Sequence, residues 1–192
     1  MPTIPIFQVG LYFTKLSIDN DVIYDKCKQI QNMYPSEKIS NRGGYQSPKL
    51  AQEEFFNLKN CILEHCYSYT NEIGIVAQNL CIEDIWINCN GSNDWNTPHD
   101  HLGSGAMLSG VYYVSDIDAG DIVFLNPDNA FNAIFNEHGS NSFTGYNSEK
   151  WFVKPENKKL LLFPASLKHF VQPSNTEQER ISISFNVYNK KL

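Results

Sequence analysis

Apolar residues in the first third of the chain recur at intervals of three and four. Beginning at Asp19, whose side chain suits an N-cap, Val22, Ile23, Cys27, Ile30 and Met33 trace one helical face that Pro35 ends. Phe55, Leu58, Ile62, Cys66, Tyr69 and Ile73 trace a second, in a span that opens after Pro48 and closes at Gly74. The stretch Asn41-Arg42-Gly43-Gly44-Tyr45-Gln46-Ser47-Pro48 between them reads as a loop. From residue 84 onward the period changes to two. Ile85 to Asn88, Ser109 to Ser115, Asp121 to Leu125, Leu160 to Phe163 and Ile181 to Tyr188 are β-branched and aromatic runs, separated by turn-forming sequences such as Asp118-Ala119-Gly120 and Asn126-Pro127-Asp128-Asn129. The pattern predicts an α+β fold, helical over about 1–80 and antiparallel over about 81–192, as a barrel or jelly roll with the helices packed outside. Residues 128–158 hold few periodic apolar positions and read as a long excursion from the sheet, a candidate lid.

Composition narrows the picture. A chain of 192 residues that is 42% hydrophobic can fill one core, so a single domain over 1–192 is expected. A net charge of −6 argues against a sequence-independent grip on nucleic-acid phosphates. The opening MPTIPIFQVGLYFTKLS has two early prolines, no basic stretch and only short apolar runs, which fits neither a secretory signal nor a membrane anchor and points to a cytoplasmic protein. The five cysteines are odd in number and lack C-x-x-C spacing, so reduced, mostly buried thiols are expected.

Candidate chemistry gathers in two places. His99 and His101 lie at i and i+2 just before Ser109-Gly110-Val111-Tyr112-Tyr113-Val114, and in an extended segment both point to one side. His169 is a third nitrogen donor, placed where a strand would return beside the first. Such a set without thiolate suits Fe(II), Mn(II), Ni(II) or Zn(II) and leaves positions open. Spacing alone equally suits surface or core histidines. Arg180 shares one strand face with Ser182 and Ser184, and a buried cation needs an anionic partner. A dicarboxylate ligand would supply one through the Arg fork; an internal salt bridge is the plainer reading.

These residues resemble the double-stranded β-helix (jelly-roll, cupin-like) oxygenases that use Fe(II) and 2-oxoglutarate, in particular their prolyl-hydroxylase-like branch. The nearest likeness is to small, mostly uncharacterised oxygenases of marine bacteria and phages. The resemblance spans most of the chain: Asn41 to Ser47, His99-Asp100-His101 with Leu108 to Val114, Phe163-Pro164 with His169 and Pro173, and Arg180 to Asn186. It implies that His99 and His169 bind iron, that Arg180 and Ser182 bind the far carboxylate of 2-oxoglutarate, and that Tyr113 helps to hold it. Decarboxylation of 2-oxoglutarate to succinate would then be coupled, with dioxygen, to hydroxylation of a substrate C–H bond.

The departure is at position 101, where the superfamily usually has the Asp of His-x-Asp. A three-histidine site, a shifted site using Asp100 and a site with weakened iron affinity all follow from it. The first keeps the i, i+2 geometry, with Asp100 available to orient an imidazole. Asn88 either touches cosubstrate or substrate or makes a structural hydrogen bond. Trp86 and Trp95 read as core and rim packing, His65 and His138 as surface residues. Tyr45 and Gln46 either border the substrate entrance or form an ordinary turn. Two further classes stay open: a non-catalytic jelly-roll binding module and a three-histidine zinc hydrolase. The substrate, peptide or small molecule, is not legible; a homodimer would fit.

Overall fold

The computed structural model describes residues 8–115, 119–128, 139 and 142–190. Helix α1 spans Asn20–Met33, and Asp19 caps it by accepting the Asp21 N–H at 3.0 Å. Its buried face is Ile23, Cys27 and Ile30; Val22 and Met33, which share the apolar spacing, face solvent. Helix α2 spans Phe56–Glu72 and buries Leu58, Ile62, Cys66 and Tyr69.

Among the described residues, eleven strands make two sheets. They are β1 Tyr12–Lys15, β2 Asn41–Arg42, β3 Tyr45–Gln46, β4 Leu80–Asn90, β5 Trp95–His99, β6 Leu108–Tyr113, β7 Ile122–Leu125, β8 Lys150–Val153, β9 Lys159–Pro164, β10 His169–Val171 and β11 Arg180–Asn189. The larger sheet runs β1-β9-β6-β11-β4-β3 and the smaller β2-β5-β10-β7-β8. Every pairing between these strands is antiparallel, which gives the jelly-roll core.

Three differences from the sequence reading have local causes. The stretch 41–48 holds β2 and β3, one for each sheet, because Gly43 and Gly44 turn the chain between them at φ 72° and 64°. A Cβ on Gly43 would sit 2.0 Å from Asp94 Oδ1, so this turn is closed to side chains. The first 80 residues are therefore not purely helical, since β1 also lies at the edge of the larger sheet. The stretch 128–158 is not all excursion: β8 returns to pair with β7. Residues 129–138 and 140–141, and His138 with them, lie outside the described residues.

The larger sheet has two unlike faces. Ile181, Ile183, Phe185 and Val187 of β11, with Ile82, Ile85, Ile87 and Cys89 of β4, share one buried cluster with Ile23, Cys27 and Ile30 of α1 and Leu58, Ile62 and Cys66 of α2. The helices thus cover one face. Apolar positions on β4 shift parity between Ile82 and Ile85, and a bulge answers it: Asn186 pairs with Asp84 but Val187 with Ile82, so Glu83 is passed over and faces solvent. A smaller cluster between the sheets joins Val111, Tyr113, Leu161 and Phe163 to Ile122 and Phe124. The polar remainder of that inner face forms the site.

Candidate metal centre and cosubstrate site

His99 and His169 meet because they are direct cross-strand partners on β5 and β10. Their ring centroids lie 4.5 Å apart. His101 follows the end of β5, where the backbone leaves the extended region (φ −115°, ψ 17°) and its N–H donates to the Ala165 carbonyl at 2.8 Å. Its ring stacks on His169 at 5.3 Å. One ligand atom from each imidazole falls within 4.8 Å of the others, and this is the one three-residue donor cluster among the described residues.

Backbone carbonyls fix how two of the rings present themselves. His99 Nδ1 lies 2.7 Å from the Thr97 carbonyl and His169 Nδ1 lies 2.9 Å from that of Leu167. Each Nδ1–H donates there, which leaves Nε2 with a free lone pair. Burial pushes the His169 imidazole down to about 3, with repulsion from His99 and His101 adding to it. Burial, then His99, brings His101 down to about 4. His99 is also lowered, chiefly by burial. Three neutral imidazoles with converging lone pairs fit a divalent metal. Asp100 instead caps the following turn, accepting the Leu102 N–H at 3.1 Å.

Across the cavity the larger sheet presents polar rows. Gln46, Asn88, Ser182 and Tyr113 are successive cross-strand partners on β3, β4, β11 and β6. Trp86, Ser184 and Val111 form the next row, and Asp84, Asn186 and Ser109 the one after. Arg180 stands at the other end, 3% exposed. Its Nη1 donates to the Gly120 carbonyl at 2.7 Å, while its Nε is buried with no hydrogen-bond partner among the described residues. Burial works against its charge, which Tyr113 and Asp121 support from nearby. No carboxylate among the described residues pairs with it, so an anionic ligand has an unfilled donor to reach. Burial raises the Tyr113 phenol to about 12, so it stays protonated and can donate to the same anion.

These groups line one cavity of about 400 Å³, large enough for a dicarboxylate and a second molecule. Asn88 faces it, with its Nδ2 donating to Ser184 Oγ at 3.0 Å. Trp86 also faces it rather than the core, its ring 5.9 Å from that of His101. Gln46 lines the cavity while Tyr45 packs against the helical core. His65 is not a free surface residue: its Nδ1 lies 2.8 Å from Tyr12 Oη. Sequence reasoning missed Asp84, which takes Lys49 Nζ at 2.7 Å and Tyr188 Oη at 2.7 Å. Burial opposes its charge, but these bonds hold the carboxyl below the usual range. The parity break at Ile82 and Ile85 was the only signal that could have turned it inward.

Residues 84–186, more than half of the chain, match the family model described as "Putative 2OG-Fe(II) oxygenase". The chain belongs to this family. It is an Fe(II)- and 2-oxoglutarate-dependent oxygenase, an oxidoreductase, and the cavity lies within the matched segment apart from the wall that Glu37, Ile39, Ser40, Gln46, Ser47 and Lys49 supply. No curated protein matches it. Solved structures share the oxygenase's fold at low identity. A prolyl-4-hydroxylase of Pseudomonas putida is 12% identical with a TM-score of 0.67, covering 95% of this chain and 94% of its own. HygX of Streptomyces hygroscopicus, with nickel and 2-oxoglutarate bound, is 12% identical at a TM-score of 0.67, covering 95% and 84%. A prolyl hydroxylase of Trichoplax adhaerens, in complex with a hypoxia inducible factor peptide fragment, is 15% identical at 0.63, covering 94% and 84%. No helix among the described residues of the oxygenase is long and apolar enough to cross a membrane.

Proposed function

We propose that the chain, acting as one unit, is a hydroxylase in which His99, His101 and His169 hold Fe(II) while Arg180, Ser182 and Tyr113 hold the distal carboxylate of 2-oxoglutarate, with Asn88 beside them. The observation that carries this reading is the buried Arg180 Nε without a partner, in the same cavity as three converging imidazoles. When bound, the metal and 2-oxoglutarate supply the oxidising power for attack on a C–H bond. The chain's own residues do the rest. Thr97 and Leu167 carbonyls orient two imidazoles. The Arg180 fork and the Ser182 and Tyr113 hydroxyls fix the cosubstrate's far end. Leu161, Phe163 and Phe124 exclude water behind His169.

Position 101 carries imidazole where the family resemblance has carboxylate, and we assign it to the metal because its ring completes the cluster while Asp100 caps a turn. The substrate is a peptide or a small molecule taken up in the remainder of the cavity. A cytosolic setting fits, since all five cysteines are free thiols, the usual state in a reducing compartment. The test is succinate formation from 2-oxoglutarate by protein loaded with Fe(II) under argon and then given oxygen. Activity that His169→Ala and Arg180→Ala each abolish supports the assignment; a parent that binds neither Fe(II) nor 2-oxoglutarate refutes it.

A further inference from the structure

One polar side chain on the cavity wall remains without a task. Gln46 is 5% exposed and lines the cavity, yet its carboxamide has no hydrogen-bond partner among the described residues. Its backbone is fixed on both sides: its N–H donates to Ser36 Oγ at 3.1 Å and its carbonyl accepts the Glu37 N–H at 2.8 Å. Gly43 and Gly44, closed to side chains by Asp94 and the Cys89 carbonyl, hold the preceding turn against β4. The amide opens on the cavity, where water can reach it, so a ligand that fills this part of the cavity must pair with it or leave it unsatisfied.

Its row shows which ligand. Gln46 lies two strands from Ser182 and three from Tyr113, and strands are spaced about 4.8 Å apart, so it stands roughly 10 Å from the nearest of the two hydroxyls assigned to 2-oxoglutarate. It therefore faces the other occupant of the cavity. Asn88, its direct neighbour, donates its amide to Ser184 and keeps its own carbonyl free. Trp86, one row along, lies beside His101 and offers an aromatic wall close to the metal ligands.

We propose that Gln46 recognises the substrate, and that the substrate presents it with an amide group attached to an apolar carbon skeleton. This rests on the assignment of Arg180, Ser182 and Tyr113 to 2-oxoglutarate made above. A primary carboxamide carries donor and acceptor on one planar edge; a second primary carboxamide matches both, as do the N–H and C=O that one residue of an extended peptide presents on the same side, whereas a hydroxyl bridges them only through bent hydrogen bonds. A carboxylate would face the Gln46 carbonyl oxygen, and a lone ammonium would leave the Gln46 N–H unpaired. The skeleton beside the amide packs on Trp86, which brings its C–H bonds towards the histidines. The amide belongs either to a peptide backbone or to a free carboxamide.

The experiment follows the Gln46 side-chain NH2 resonances in 15N-labelled protein holding Zn(II) and 2-oxoglutarate, assigned by their loss in Gln46→Met. N-acetylglycine N-methylamide probes for a peptide group, acetamide for a free carboxamide, and methyl acetate is the matched ester without an N–H. We expect the amides to shift these signals saturably, and the ester to need about tenfold more, the loss of one buried hydrogen bond. Tighter binding of the first amide identifies a peptide source and of the second a free carboxamide. Ester binding equal to the amides, or signals that no amide moves, overturns the proposal. So does a loss of 2-oxoglutarate affinity in Gln46→Met as large as that in Arg180→Lys, which would place Gln46 in the cosubstrate site. A parent that binds no 2-oxoglutarate sinks the functional reading instead, while the Gln46 signals still report on the amide.

Discussion

The three histidines are held neutral by burial, and that has a measurable cost in acid. An unfolded imidazole takes up its proton near 6.5, whereas the folded His101 and His169 resist it down to about 4 and about 3. Below 6.5 the unfolded state therefore binds more protons than the folded one. Stability is complete above that pH and falls as pH drops towards 4, by up to about 1.4 kcal/mol per pH unit for each such group. The melting temperature of metal-free protein is expected to decline across this window and stay level, as far as these groups act, above it. His169→Gln should flatten the decline. Arg180→Lys keeps a charge but loses the planar fork, and 2-oxoglutarate affinity measured by titration should fall by about ten- to a hundredfold. His99 stood out in the sequence through its i, i+2 pair with His101, and His169 and Arg180 because each opens an apolar run. Gln46 and Asp84 did not, since a single amide in a glycine turn and one acid next to another carry no period.

At the scale of elements, close approach of backbones governs what can change. A Cβ on Gly110 of β6 would meet the Phe185 ring at 2.3 Å and the Leu161 carbonyl at 2.7 Å. Gly110→Ala is expected to cost about 1–3 kcal/mol in urea unfolding. Gly120 has less room still, with the Gln172 carbonyl oxygen 1.9 Å from its Cβ position. Because its own carbonyl holds Arg180, Gly120→Ala should weaken 2-oxoglutarate binding as well as stability, a pairing that Gly110→Ala should not show in its folded fraction. The long strands β4 and β11 and both helices stand out in the sequence because each has one apolar face. Strand β10 has three residues and β2 and β3 two each, too short for any period to emerge, and their place is set by pairing with longer neighbours.

Over the whole molecule, one sheet separates two environments. Helices and apolar residues fill one side and the site occupies the other. Ile62, fully buried on α2, belongs wholly to the first. Ile62→Ala should cost about 2–5 kcal/mol, read from chemical denaturation, yet leave 2-oxoglutarate affinity of the folded protein unchanged. The fold class was legible from the switch of period near residue 84. The depth of the cavity was not, because it arises only when β10 pairs with β5 across 70 residues of chain, from His99 to His169.

The alternation on β11 sets an odd-even rule for length changes in this gene. Removing one residue between Ile181 and Phe185 turns every later side chain over, sending Ser and Asn into hydrocarbon and Ile and Phe into the cavity. Removing two restores the pattern with the strand shortened. The oxygenase therefore has no viable single-codon deletion there, and chemistry and folding are lost or kept together.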